Sequence, residues 1–263
     1  MAAEGPGLAL DIGIGTGYTT YHVFGDRPTV CIDLHAPNLV YYRSKISGAA
    51  GGHRPMCVVA EADTLPFKSD SFKYLLCSEV LEHLEDDGAA AREIARVLEP
   101  DGRAVVSVPY TGIGFTGLLE LAGIKTVHDY PGPERHVRAG YDEASMSALM
   151  SGSGLQVESH AFYLRLFTKL LVDSASLGHI IYQRVVHRRK SWTWSEASEI
   201  EDSAAFKLYV LIFPLLRAVS RLDGLLRGRR GFGLVTSLRK PPAPPDGTQT
   251  SEAATTAPGH LQS

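Results

Sequence analysis

Cysteine is scarce in this chain of 263 residues: Cys31, Cys57 and Cys77 are scattered and show no Cys-x-x-Cys spacing. An odd, dispersed set frames neither a disulfide scaffold nor a zinc ribbon, and reads as reduced core thiols of a cytoplasmic protein. Long apolar runs are missing too. The longest, 208–216, is about half of the ~18 residues a spanning helix needs, and it contains Pro214. The opening residues MAAEGPGLALDIG have neither the basic start nor the apolar stretch of a secretory leader, so none is expected. Net charge is nearly absent at −3, which excludes a chain that binds nucleic acid by bulk electrostatics. No internal repeat is found. With 44% apolar and 21% charged residues, the composition is otherwise that of an ordinary globular protein.

The small net charge hides an asymmetry. Residues 1–160 carry 12 Lys+Arg against 21 Asp+Glu, residues 161–240 carry 14 against 6, and residues 241–263 carry none against 2. A basic excess of that size bears on partners rather than on fold.

Strand-like and helix-like segments alternate through residue 164. Short apolar runs at 8–12, 29–33, 57–60, 74–78 and 103–109 read as strands buried on both faces. Helices are expected over 85–98, ended by Pro100-Asp101-Gly102, and over 142–151, opened by Asp142 as N-cap. Alternation of this kind means βαβ units and a parallel sheet. Two further strands are expected at 155–164 and 231–240. Between them residues 165–230 form an insertion, read as two largely apolar helices over 164–187 and 204–227, the second kinked at Pro214. Residues 241–263 have almost no large apolar side chains and are expected to be a disordered tail.

The strongest local signal is Asp11-Ile-Gly13-Ile-Gly15-Thr-Gly17, directly after the first strand. Closely spaced glycines let the backbone turn sharply and approach a ligand, and the helix that follows offers free N–H groups. Asp33 ends the second strand, where an acidic side chain accepts from ribose hydroxyls or caps the next helix. Asp63 and Leu65 follow the third strand in Glu61-Ala-Asp63-Thr-Leu65-Pro66-Phe67, suited to an exocyclic amine and an adenine face. Glu79, Glu82 and His83 leave the fourth strand at the carboxyl edge of the sheet.

Together these stretches, LALDIGIGTGYTT, VCIDLHAPNL, VVAEADTLPFKSDSFKYLLCSEVLEHL and AREIARVLEPDGRAVVSVPY, resemble the class I S-adenosylmethionine-dependent methyltransferases, in particular the type 11 branch, over residues 8–110. The resemblance implies a Rossmann-like seven-stranded, mostly parallel sheet with helices on both faces, its last strand antiparallel. It implies S-adenosyl-L-methionine as cofactor. Gly13, Gly15 and Gly17 would pack on the methionine and ribose parts, Asp11 would position the methionine amine, Asp33 the ribose and Asp63 the adenine amine. Glu79 would lie beside the cofactor's open side. Residues 1–164 with 231–240 would form this core.

The family usually has helices before its first strand, whereas seven residues precede Leu8 here, so either a misplaced start or a pocket open on that side is expected. A dehydrogenase fingerprint would need a third glycine where Tyr18 stands. A nucleic-acid amino-methyltransferase would need an Asn/Asp-Pro-Pro-aromatic stretch where Ser78-Glu79-Val80-Leu81 stands. The expected acceptor is therefore a small or lipid-linked molecule, with no nucleic acid. The alternative is a catalytically inactive module of the same fold. His83 and His136 are the candidate bases for a hydroxyl acceptor. Glu79-x-x-Glu82-His83 also resembles the motif of ubiquinone-type O-methyltransferases, for which a magnesium ion has been proposed; both glutamates are read here as lining residues, and no metal is expected. The insertion, flanked by His187-Arg-Arg-Lys190 and Arg227-Gly-Arg-Arg230, is expected to act as a lid, a homodimer surface or a peripheral contact with anionic membrane.

Overall fold

The computed structural model describes residues 6–25, 27–46, 55–111, 136–163 and 230–242, with a few positions between 167 and 223. Most of the two insertion helices and all of the tail beyond residue 242 lie outside the described residues. The elements run β1 (Ala9–Ile12), α1 (Tyr18–Phe24), β2 (Thr29–Asp33), α2 (Ala36–Ile46), β3 (Met56–Val59), β4 (Phe72–Ser78), a 3₁₀ turn (Leu81–His83), α3 (Asp87–Val97), β5 (Leu98–Pro109), α4 (Glu143–Gly152), β6 (Gln156–Tyr163) and β7 (Gly233–Arg239).

The seven strands form one sheet in the order β3-β2-β1-β4-β5-β7-β6. The first five pair in parallel, and β7 runs antiparallel to both β5 and β6. Alternate residues of each strand feed opposite faces, as the pleat requires. Leu10, Ile12, Leu75 and Cys77 join Ile94 of α3 and Met146 and Met150 of α4 in the main core. On the other face Tyr74 and Leu76 meet Phe24 of α1, while Cys31 meets Leu39 and Tyr42 of α2. Chain order reverses between β1 and β4, and this reversal opens a crevice at the carboxyl ends of the strands.

Capping residues set the helix starts. The Asp86 carboxylate accepts from Ala89 N at 2.7 Å. Asp142 and Ser145 form a reciprocal capping box. The structure corrects three expectations. The helix read from residue 85 starts at Asp87, because residues 81–83 first make a 3₁₀ turn. The turn at Pro100–Gly102 does not separate α3 from β5. It is a bulge inside β5, where the register moves from Phe72↔Leu98 to Tyr74↔Arg103 and Asp101 takes φ 60°. Finally, β3 is not buried on both faces: it is an edge strand, with Met56 62% and Val59 55% exposed. Cys31 and Cys77 are buried free thiols and Cys57 is half-buried.

Candidate active site

The crevice begins at the glycine loop. Gly13, Gly15 and Gly17 all have positive φ (75°, 51° and 73°), a region that L side chains rarely adopt. Their surroundings differ. A Cβ on Gly13 would overlap Val80 Cγ2, and one on Gly17 would overlap the Tyr42 ring, whereas among the described residues nothing lies within 4 Å of a Cβ on Gly15. Gly13 and Gly17 are therefore also demanded by packing, and Gly15 alone of the three faces open space. Gly17 doubles as the N-cap of α1.

Asp33 ties the loop to β2. One carboxylate oxygen accepts from Gly15 N at 3.0 Å and from Asn38 Nδ2 at 3.1 Å, and the other accepts from His35 N at 2.8 Å. It thus holds the glycine loop and the start of α2 together, and keeps lone-pair capacity for about one more donor. Asp11, 2% exposed, accepts a short hydrogen bond from Thr20 Oγ1. Burial pushes its carboxyl up to about 7; the Thr20 bond opposes the shift and the nearby Asp33 charge adds to it. A buried carboxyl in that state is relieved by a cation. An open face at Gly15 beside Asp33, with Asp11 behind, fits the ribose and the ammonium end of S-adenosylmethionine.

The loop after β3 is clamped by one ion pair on α3. Arg96 donates to Phe67 O (2.7 Å), Leu65 O (3.0 Å) and Glu93 Oε1 (2.6 Å), and Glu93 Oε2 accepts from Leu65 N at 2.7 Å. The Arg96 hydrogen bond holds the Glu93 carboxyl below the usual range. This clamp fixes half-buried Asp63, whose carboxylate accepts from Thr64 Oγ1 at 3.2 Å. The Leu65 side chain, 5% exposed, belongs to the main core.

Beyond β4, Glu79 is held with φ 55°, rare for a residue with a side chain. Glu79 Oε1 accepts from Tyr163 OH at 2.6 Å and from Ser107 Oγ at 3.2 Å. Tyr163 reaches it from the end of β6 by lying across β7 at Gly233, where any Cβ would enter the phenol ring. Burial and the Glu79 charge raise the Tyr163 phenol well above its usual range, so it stays a donor. Neither Tyr163 nor Ser107 carries a motif signal, since they lie 84 and 28 positions from Glu79.

The 3₁₀ turn and the segment before α4 come together. Val137 N donates to Glu82 O at 2.8 Å, Arg138 Nη1 donates to Leu81 O at 3.1 Å, and Arg138 pairs with Asp87 at 2.6 Å. This brackets His136 against His83, with ring centroids 4.6 Å apart at 87°. The two candidate bases are thus neighbours. Between them and the core sits Glu82, fully buried, with Oε1 3.8 Å from His83 Nε2. Among the described residues, neither Glu82 oxygen nor His83 Nδ1 has a hydrogen-bond partner. Burial, with the Glu79 charge, pushes the Glu82 carboxyl up to about 8 against the opposing field of Arg138.

A family described as a methyltransferase domain matches residues 10–106, the stretch that builds the glycine loop, Asp33, the 61–67 loop and the 3₁₀ turn. A ubiquinone/menaquinone biosynthesis C-methyltransferase from Shewanella frigidimarina is 33% identical over 174 residues, covering 59% of this chain and 69% of that protein. The chain belongs to the class I S-adenosylmethionine-dependent methyltransferases. A malonyl-[acyl-carrier protein] O-methyltransferase from Halorhodospira halophila is also 33% identical, over 45% of this chain and 39% of that protein. Among solved structures the [4+2]-cyclase SpnF shares the fold, with a TM-score of 0.58 and 17% identity over 92% of this chain and 78% of that one. S-adenosylmethionine is the cofactor of this methyltransferase family, and the seven-stranded, mostly parallel sheet with antiparallel β7 is what the resemblance implied. Among the described residues, no helix is long and apolar enough to cross a membrane.

Proposed function

We propose that this protein transfers a methyl group from S-adenosylmethionine to a small-molecule or lipid-linked acceptor. The observation that carries the reading is the open face of Gly15 beside a pinned Asp33, at the point where strand order reverses. Asp11, Gly13, Gly15, Gly17 and Asp33 hold the methionine and ribose parts in this reading, Asp63 the adenine amine, and Glu79 borders the cofactor's open side, while Leu65, expected at the adenine face, is committed to the core beneath. When bound, S-adenosylmethionine supplies an electrophilic methyl carbon that an acceptor atom displaces in line from sulfur. The chain's task is then mainly alignment, which can be worth ~7–11 kcal/mol. His83 and His136 stand on the acceptor side, where an imidazole can take the proton of a hydroxyl. Relatives named for a quinone and for an acyl-carrier-protein thioester support acceptors borne on long or apolar carriers.

The test is calorimetry with S-adenosylhomocysteine on the full chain, with folding verified by circular dichroism. Stoichiometric binding is expected. A folded chain that binds none would sink this reading and favour the inactive-module alternative.

A second observation bears on the insertion. Leu211, Leu215 and Leu222 are 76%, 56% and 45% exposed, within the segment that carries the chain's basic excess. We infer that this segment rests on anionic lipid, its arginines meeting headgroups and its leucines the acyl boundary. Liposome co-sedimentation that is equal for neutral and anionic vesicles, or unchanged by salt, would return it to a lid or dimer role.

A further inference from the structure

Glu82, His83 and His136 each offer one ligand atom, and these atoms lie within 4.8 Å of one another. We propose that the three side chains form a binding site for a divalent transition-metal ion, of the zinc, cobalt or iron(II) class, with a coordination position left open toward the acceptor side of the crevice. The proposal rests on the methyltransferase reading only for what that open position faces; the ion site itself does not depend on it.

The first argument is the missing hydrogen bonds. A buried carboxylate is normally paired or hydrogen-bonded, because leaving it bare costs several kcal/mol. Glu82 is fully buried and both of its oxygens lack a hydrogen-bond partner, as does the buried Nδ1 of His83 beside it. The two orphaned oxygens of Glu82, one of them 3.8 Å from His83 Nε2, call for a partner between these side chains. Arg138 does not fill the role: its guanidinium is spent on Asp87, Leu81 O, Glu85 O and Tyr141 OH.

The second argument is donor chemistry. Two imidazoles and one carboxylate suit zinc, iron, cobalt or nickel, whereas magnesium and calcium take oxygen donors almost alone. Glu79, which the Glu-x-x-Glu-His spacing puts in the same motif, is instead bonded to Tyr163 and Ser107 and stands outside the donor cluster. His136, far outside that motif and outside the family match at 10–106, takes its place. The donor set is thus this chain's own arrangement, assembled when the segment before α4 folds over the 3₁₀ turn. The third argument is geometry. In a tetrahedron with bonds of 2.0–2.2 Å the ligand atoms stand ~3.3–3.6 Å apart, so donor atoms that already lie within 4.8 Å of one another need draw in by about 1 Å, a side-chain adjustment. Three protein ligands leave one position of a tetrahedron free.

Two of the three ligands are the candidate bases named above. With the ion in place they ligate, and acidifying an acceptor oxygen passes from a free imidazole to the metal.

The experiment uses the full chain stripped with a chelator and dialysed. It is titrated with zinc chloride by calorimetry, and with cobalt(II) chloride by visible absorption, which reports a tetrahedral site. One equivalent of either ion is expected, with magnesium failing to compete at millimolar concentration. His136→Ala and Glu82→Gln should each weaken zinc binding at least tenfold, while Glu79→Gln changes it less than threefold. Glu82→Gln is the folding-safe variant, since it removes a buried, unpartnered charge. No stoichiometric uptake, unchanged affinity in His136→Ala, or preference for magnesium would overturn the proposal. S-adenosylhomocysteine binding in the same samples separates the two readings. A chain that takes the nucleoside but no metal refutes this site alone, and one that takes neither refutes the methyltransferase assignment as well.

Discussion

Asp33 and Glu82 are both buried carboxylates at the carboxyl edge of one sheet, 7% and 0% exposed. Asp33 accepts three hydrogen bonds, from Gly15, His35 and Asn38, and Glu82 accepts none on its side chain. The Asp33 side of the crevice, proposed above to take the cofactor, is therefore preorganised by the chain itself, with Gly15 tethered to Asp33. The opposite bank holds its groups in place through backbone contacts from Arg138 and Val137 and leaves their polar atoms unsatisfied. One bank is finished by folding and the other by what binds.

The sharpest way to break that comparison is Asp33→Ala. Hydrogen bonds to a charged group contribute ~1.5–3 kcal/mol each, and losing the loop tether together with the ribose acceptor should weaken S-adenosylhomocysteine binding about 100-fold or more by calorimetry. A loss below tenfold would leave Asp33 only its role at the start of α2. Next comes the glycine pair. Gly17→Ala meets the Tyr42 ring and should lower the melting temperature by several degrees, while among the described residues nothing lies within 4 Å of a Cβ at Gly15, the position for Gly15→Val. The valine variant should keep most of its stability, apart from ~1–2 kcal/mol of left-handed strain, yet lose binding at least tenfold. Equal melting losses in both variants would refute the distinction between packing and ligand glycines.

The third effect is pH dependence. The Glu82 carboxyl is raised from 4.5 to about 8 and the Asp11 carboxyl from 3.8 to about 7. The folded chain then binds more protons than the unfolded one between these values. As far as these two groups decide it, stability of the unliganded protein should accordingly be fully present below about pH 4 and fall as pH rises toward 8. Glu82→Gln should flatten that slope, seen as a melting temperature at pH 8 raised by a few degrees relative to the parent, at ~2–4 °C per kcal/mol. A parallel slope in the variant would mean that Glu82 is not the group responsible. The smallest effect is expected from Tyr163→Phe, which removes one hydrogen bond to Glu79 and should change S-adenosylhomocysteine affinity less than tenfold. A larger loss would move Glu79 to the centre of cofactor binding.

The glycine loop and Asp33, proposed above as the cofactor side, could be picked out in the sequence because that side is built locally. Asp11 to Gly17 is one strand end and one turn, and Asp33 follows at the next strand end. Buried parallel strands also announce themselves as short apolar runs. The acceptor bank was legible only as a set of residue types. His83 and His136 could be named, but their meeting depends on Arg138 bonding the carbonyl of Leu81, 57 positions away. Tyr163 was invisible for the same reason. Glu82 read as a lining residue, since spacing along a chain does not reveal that a carboxylate will be buried without a partner. The β5 bulge was misread because Pro-Asp-Gly marks a turn without saying whether the strand resumes in the same ladder.

Tyr163 has a further consequence. It is the last residue of β6, and its ladder partner is Gly233, the first residue of β7. The described strands leave the sheet at one and re-enter it at the other, so Tyr163 and Gly233 bracket the insertion at one rung of the ladder. The phenol that crosses that rung ends on Glu79. A shift of that ring would therefore act in two places at once, on the closing rung of the β6–β7 ladder and on the hydrogen bond that holds Glu79.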